Sequence, residues 1–259
     1  MAENDIIINH ACSGESSTEA VAPEVHQVQA ATNLPQNLAK ELITRIATPA
    51  NLKDAFKVVK LNKGAPGIDN RTISEVETSI NEIINRLCTT LLDGTYAPSP
   101  VRGVEIPKTN GQTRQLGIPT VVDRIVQQAI SQVLSPMFDP YFSEQSFGFR
   151  PKRSAQQAIA SAKSFVKQGK EWVVDLDIAK FFDCVNHDII MSKLANSISD
   201  KKLLKFIRKF LQAGMMHDGR FTKKEQGMPQ GGPLSPLLSN IMLHDLDKEL
   251  HYRGHTFVR

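Results

Sequence analysis

The stretch 172-WVVDLDIAKFFDCVNH-187 constrains the fold more than any other part of this chain. Side chains alternate along an extended backbone, so Trp172, Val174, Leu176 and Ile178 share one face, and Val173, Asp175 and Asp177 share the other. That pattern predicts a buried strand with one apolar face and one face bearing two acids. An isolated buried carboxylate is costly, so the acids need partners. In one solution Asp175 pairs with a Lys or Arg and Asp177 merely ends the strand. In the other the acids face a hard divalent cation such as Mg²⁺, which takes carboxylate, carbonyl and phosphate oxygens. Two adjacent aromatics, Phe181 and Phe182, and a third acid, Asp183, follow at the next turn.

Around this strand the chain alternates helices with antiparallel hairpins, which predicts an α+β protein rather than regular βαβ units. Residues 1–36 are rich in Ser, Thr, Ala, Gln and Glu without an apolar period, and are expected to form a disordered-like tail. Helical periodicity begins near Leu38 and resumes over residues 51–64. Thr72-x-x-Glu75 is a capping box expected to open one long helix reaching Leu92, closed by Gly94. Residues 96–118 suggest two short strands around Asn110-Gly111. Thr120 caps a helix whose apolar positions (121, 122, 125, 126, 129, 130, 133 and 134) make one broad face. Ser154 with Gln157 opens another helix, and two more are expected over residues 187–197 and 200–214. Asp218-Gly219 marks a second hairpin, Ser235-Pro236 an N-cap and first helical position, and residues 255–259 the start of a strand.

Charge and composition narrow the function classes. Net charge is +4, yet residues 1–39 hold five acids and no Lys or Arg, leaving the remainder at +9. A basic body favours a polyanionic partner. The cationic side of the helix near residue 205 (Lys201, Lys202, Lys205, Arg208, Lys209) fits a solvated face as well as it fits RNA contact. Three dispersed cysteines suggest neither a zinc site nor a disulfide framework. The polar N-terminus lacks a signal-peptide pattern, and no apolar run is of membrane-spanning length, so the expected compartment is the cytoplasm. Two loops stand out. The segment 227-GMPQGGPLSPLLSN-240 brings glycines and prolines ahead of a helix, where backbone can approach a ligand closely. In 107-PKTNGQTRQLGIP-119, Lys108 and Arg114 sit on opposite arms of the hairpin, where both could meet a triphosphate.

The ordered blocks KGAPGID, RQLGIPTVVDRIVQQA, FGFRPKRSAQQAI, WVVDLDIAKFFDCVNH and GMPQGGPLSPLLSNIMLHDLD resemble those of a group II intron reverse transcriptase/maturase, across about residues 40–259. The resemblance implies a right-hand polymerase with fingers over 37–119 and a palm over 120–259, some finger elements being interleaved. It implies an RNA-directed DNA polymerase that also assists intron splicing and mobility. Its partners would be group II intron RNA, an RNA template with a DNA or RNA primer, and dNTPs. Two Mg²⁺ ions, with Mn²⁺ as a substitute, would activate the primer hydroxyl and stabilise the leaving pyrophosphate. By resemblance, Asp177 is the catalytic metal-binding acid and the Ile178 carbonyl a further ligand. Phe182 matches the sugar gate that excludes a 2′-hydroxyl. Lys108 and Arg114 match triphosphate contacts, and Gln230 a residue near the nucleotide sugar. Arg150, Lys152 and Arg153 match a basic block assigned to nucleic acid. Asp175 and Asp183 match no ligand.

The family pattern continues into a hairpin bearing Tyr-x-Asp-Asp, whose acids complete the metal site, and residues 1–259 contain no such motif. The palm is therefore expected to be incomplete, with an open sheet edge, and these residues alone inactive. An open edge invites a homodimer or a complementing C-terminal fragment. The competing reading is a non-catalytic intron-RNA-binding module; a reverse transcriptase domain from another retroelement is a third.

Overall fold

The computed structural model describes residues 33–35, 41–107, 111 and 113–259. The expected tail lies almost wholly outside the described residues, as do Lys108, Asn110 and the side chain of Arg114. The described elements run α1 (Leu42–Ile46), α2 (Pro49–Leu61), α3 (Ile73–Thr78), α4 (Ile80–Asp93), β1 (Val101–Pro107), β2 (Thr113–Ile118), α5 (Val121–Phe138), a 3₁₀ turn (Asp139–Tyr141), α6 (Ala155–Lys167), α7 (Phe181–Cys184), α8 (His187–Ser197), α9 (Lys201–Leu211), β3 (Met215–His217), β4 (Arg220–Thr222) and α10 (Ser235–Tyr252).

Helix α5 is the axis of the core. Its apolar stripe is buried from Val121 to Phe138, and Asp123, Arg124 and Gln127 on its other sides are buried as well. A helix covered on all sides needs partners all round, and α1, α2, α3 and α10 supply them. Its polar residues are satisfied internally. The Asp123 carboxylate accepts from Tyr96 Oη at 2.5 Å, Thr120 Oγ1 at 2.7 Å and the Ser99 amide at 3.2 Å. Burial nevertheless pushes the Asp123 carboxyl above the ordinary carboxylate range, those hydrogen bonds opposing the shift.

Local signals decide most helix starts. The capping boxes at Thr72 and Ser154 both form, and Thr120 accepts from the Asp123 amide. Each such cap stabilises its helix by roughly 1 kcal/mol. Asp200 does double duty: Oδ1 accepts from the Leu203 amide at the head of α9, and Oδ2 accepts from the Ile43 amide at the head of α1. The expected single helix from Thr72 to Leu92 is broken at Ser79, whose backbone leaves the helical region and whose hydroxyl accepts from Arg71 Nη2 at 3.2 Å.

The four-stranded sheet has the order β2-β1-β3-β4. Two antiparallel hairpins are joined by the short parallel pair β1–β3. The Asp218-Gly219 turn forms with both residues at positive φ, as a tight hairpin needs.

The strand expected over 172–178 does not form. Residues 171–178 form no regular element, join no strand among the described residues, and are exposed at both sets of alternating positions, Trp172 at 64% and Val173 at 69%. Alternation specifies a sheet face, but a strand gains its hydrogen bonds only from a neighbour. Residues 255–259 also form no regular strand; instead Arg259 exchanges backbone hydrogen bonds with Gln145 and Phe147. The Arg259 guanidinium meets the fully buried Asp247 carboxylate at 2.8 and 2.6 Å.

Three cations of α9 have internal tasks. Lys202 donates to the Leu92 carbonyl near the end of α4, Lys209 donates to the Tyr96 carbonyl, and Arg208 pairs with Asp188. Lys201 and Lys205 remain exposed.

Candidate nucleotide and nucleic-acid site

Asp177 is exposed in the segment 171–178, one residue before a tight turn. The Ile178 carbonyl accepts from the Phe181 amide at 3.3 Å, and Lys180 adopts left-handed geometry to launch α7. Phe181 and Phe182 meet edge to face with centroids 5.3 Å apart, both resting on the core. The expected metal donors, a carboxylate and a carbonyl, are hard oxygens of the kind Mg²⁺ prefers. Among the described residues no group of three His, Cys, Asp or Glu is placed to hold a metal, so the donors present suit the ion but make only part of a set.

The turn carrying Phe182 is clasped to the loop carrying Gln230. The Met228 amide donates to the Phe182 carbonyl at 2.6 Å, the Gly227 amide to the Val185 carbonyl at 2.7 Å, and Asn186 and Gln226 form a bridge. His187, buried at the first turn of α8, closes the clasp: its Nε2 lies 2.7 Å from the Gly227 carbonyl oxygen. A carbonyl only accepts, so Nε2 carries the proton.

Two more carbonyls of the loop are fastened to other elements. Pro229 accepts from the Ser235 hydroxyl at 2.8 Å, and Gln230 accepts from the Gly117 amide of β2 at 3.0 Å. Ser235 was expected to be an N-cap, but Leu234 takes that position, and the Ser235 hydroxyl anchors the loop instead. Gly231 is required here: its φ is +124°, and a Cβ would lie 2.9 Å from the Gly117 carbonyl oxygen. The loop is thereby tied to β2, the strand that carries Arg114 opposite Ile106.

An open cleft of ≈ 620 Å³ is lined by Phe182, Gln230, Phe149 and Gly64 among others. Arg124 lines it from α5 and donates from Nη2 to the Ala65 carbonyl at 2.7 Å. A Cβ on Gly64 would sit 2.0 Å from Arg124 Nη1 and displace that guanidinium, whereas one on Gly67 of the same KGAPGID turn would meet the Thr120 backbone at 2.6 Å.

The basic block divides. Arg150 faces inward: Nε donates to Asp139 Oδ1, Nη1 to the Ser143 and Ser146 carbonyls, and Nη2 to the Asp139 carbonyl. Its side chain is 4% exposed, so the nucleic-acid contact expected of it gives way to an internal one. Lys152 is exposed, and Arg153 lies over the Phe147 ring while donating to the Glu144 carbonyl. Sequence reasoning missed His187, Arg124, Ser235 and Gly117. Arg124 had a signal, as a cation within the block RQLGIPTVVDRIVQQA.

Comparison with known proteins accords with this arrangement. Residues 106–259 match the family described as reverse transcriptase (RNA-dependent DNA polymerase). The chain belongs to that family. It is 39% identical to Protein YkfC of Escherichia coli over 83% of its length, and 40% identical to the group II intron-encoded protein LtrA of Lactococcus lactis over 75%. It is 32% identical to a putative COX1/OXI3 intron 1 protein of Saccharomyces cerevisiae over 83%. The matches span 58% of YkfC, 32% of LtrA and 26% of the yeast protein. In fold it resembles a chain of a partial Cas6-RT-Cas1–Cas2 complex, with a TM-score of 0.55 at 24% identity, covering 82% of this chain and 35% of that one. No helix among the described residues is long and apolar enough to cross a membrane.

Proposed function

We propose that this chain forms the fingers and part of the palm of a group II intron RNA-directed DNA polymerase that also serves its intron as a maturase. The observation that carries the reading is the clasp that fixes Phe182 and Gln230 in the lining of a nucleotide-sized cleft. In this reading Phe182 is the sugar gate, Gln230 borders the sugar, and Lys108 and Arg114 receive the triphosphate. Lys152 and Arg153 take template phosphates. Asp177 and the Ile178 carbonyl would hold Mg²⁺, which when bound activates the primer hydroxyl and stabilises the leaving pyrophosphate. A two-ion site needs more carboxylates than Asp177, and residues 1–259 contain no Tyr-x-Asp-Asp. We therefore propose that residues 1–259 by themselves do not polymerise and need a segment bearing further carboxylates.

Primer extension on an RNA template with Mg²⁺ and dNTPs tests this. Residues 1–259 alone are expected to give no product, and addition of a fragment bearing Tyr-x-Asp-Asp is expected to restore extension that Asp177→Asn abolishes. Extension by residues 1–259 alone, or its survival in Asp177→Asn, would refute the assignment. A non-catalytic intron-RNA-binding module is the second reading, favoured by the exposure of the Asp177 segment on both faces. Salt-sensitive RNA binding with no extension under any complementation would establish it.

A further inference from the structure

Phe149 combines three properties that packing does not explain. It is 67% exposed, its backbone lies in the left-handed region at φ +56°, and it lines the cleft. A bulky L-residue is strained in that region, where glycine or asparagine is at ease. An exposed ring also gains little from burial, so Phe149 incurs the strain without the usual return. Its surroundings over-determine the geometry. Asn240 of α10 donates to the Gly148 carbonyl at 3.0 Å on one side, and the buried Arg150 guanidinium grips the chain on the other. Strain held in place by a rigid frame points to function.

The chemistry around the ring selects a ligand. Lys152 is exposed three residues on, itself at φ +60°, and Arg153 follows. Phe182 lines the same cleft, and the buried Arg124 has a guanidinium Nε without a hydrogen-bond partner. An exposed aromatic face beside cations, at a cleft lined by an amide and a guanidinium, suits an unpaired nucleobase on a polyanionic strand.

We propose that Phe149 is a stacking platform that receives an unpaired base of the template strand at the mouth of the cleft, with Lys152 taking an adjacent phosphate. The inference rests on the polymerase reading and adds to it a residue that orders the template. Arg150 acts as a positioning residue for that platform.

Fluorescence anisotropy of a labelled single-stranded RNA oligonucleotide of mixed sequence, bound by residues 1–259 across a salt series, tests the assignment. Phe149→Asn is expected to weaken binding about tenfold at every salt concentration, leaving the salt slope unchanged, because stacking releases no counterions. Its thermal midpoint is expected not to fall, since asparagine suits the left-handed backbone. Phe149→Trp is expected to retain affinity, and Lys152→Ala to flatten the slope by about 0.7. Wild-type affinity in Phe149→Asn would overturn the proposal, as would a lowered midpoint, which would make Phe149 a packing residue. An effect on free dNTP binding with none on the RNA strand would also overturn it. If the wild-type chain fails to bind RNA at all, the polymerase reading falls first and the platform with it; that result is distinct from an unaltered Phe149→Asn.

Discussion

Helix α5 and the segment 171–178 are both rich in apolar residues and both contain acids, yet they end in opposite environments. Asp123 in α5 is buried beneath three hydrogen bonds, whereas Asp175 and Asp177 are open to solvent. A helix closes its backbone hydrogen bonds within itself and then needs only apolar neighbours. An extended segment must borrow both its hydrogen bonds and its cover from another strand. The core thus closes through helix packing, while the segment bearing the proposed metal ligand joins no strand among the described residues.

The largest expected break in this contrast is at the Arg259–Asp247 pair. Arg259→Ala leaves a fully buried carboxylate uncompensated and should cost about 3–5 kcal/mol, read from the denaturant midpoint. Within α5, Ile130→Ala should cost about 2–5 kcal/mol by opening a cavity in a fully buried site. At the clasp, His187→Phe removes the donor to Gly227 and should cost about 1–3 kcal/mol, while His187→Gln restores much of it; an equal loss in both would mean that ring shape matters rather than the hydrogen bond.

Asp123 gives a pH test. Its folded carboxyl holds its proton more tightly than the unfolded one, because burial raises it. Native chains therefore bind more protons than unfolded ones within that window, and stability falls as pH rises from the ordinary carboxylate range to the raised folded value. Asp123→Asn should lack this slope in urea titrations run at successive pH; an identical slope would place the titration elsewhere. Smallest of all, Leu176→Ser in the isolated chain should change stability by under about 0.5 kcal/mol. A cost comparable to that of Ile130→Ala would mean that 172–178 is covered in solution, and would dissolve the contrast.

Legibility followed locality. Thr72, Ser154 and Asp218-Gly219 act within four residues, so their caps and turn could be read directly. Ser79 interrupts an expected helix, and its hydroxyl accepts from Arg71, a contact that periodicity does not encode. Residues 172–178 were misread because alternation records which side faces a sheet and not whether a neighbour is present. Arg150 was assigned to nucleic acid through the resemblance of its block, yet three of its four acceptors are backbone carbonyls, which leave no compositional trace. The family blocks led to Phe182 and Gln230, but His187 became visible only once α8 and the loop had been brought together.

The anchoring of the Gln230 loop bears on the order of assembly. Its carbonyls wait on Gly117, His187 and Ser235, which arrive from strand β2, helix α8 and helix α10. The proposed nucleotide binding should accordingly be among the last properties to return during refolding, lagging helix content measured on the same sample. A chain stalled halfway would keep its core and have no grip on substrate.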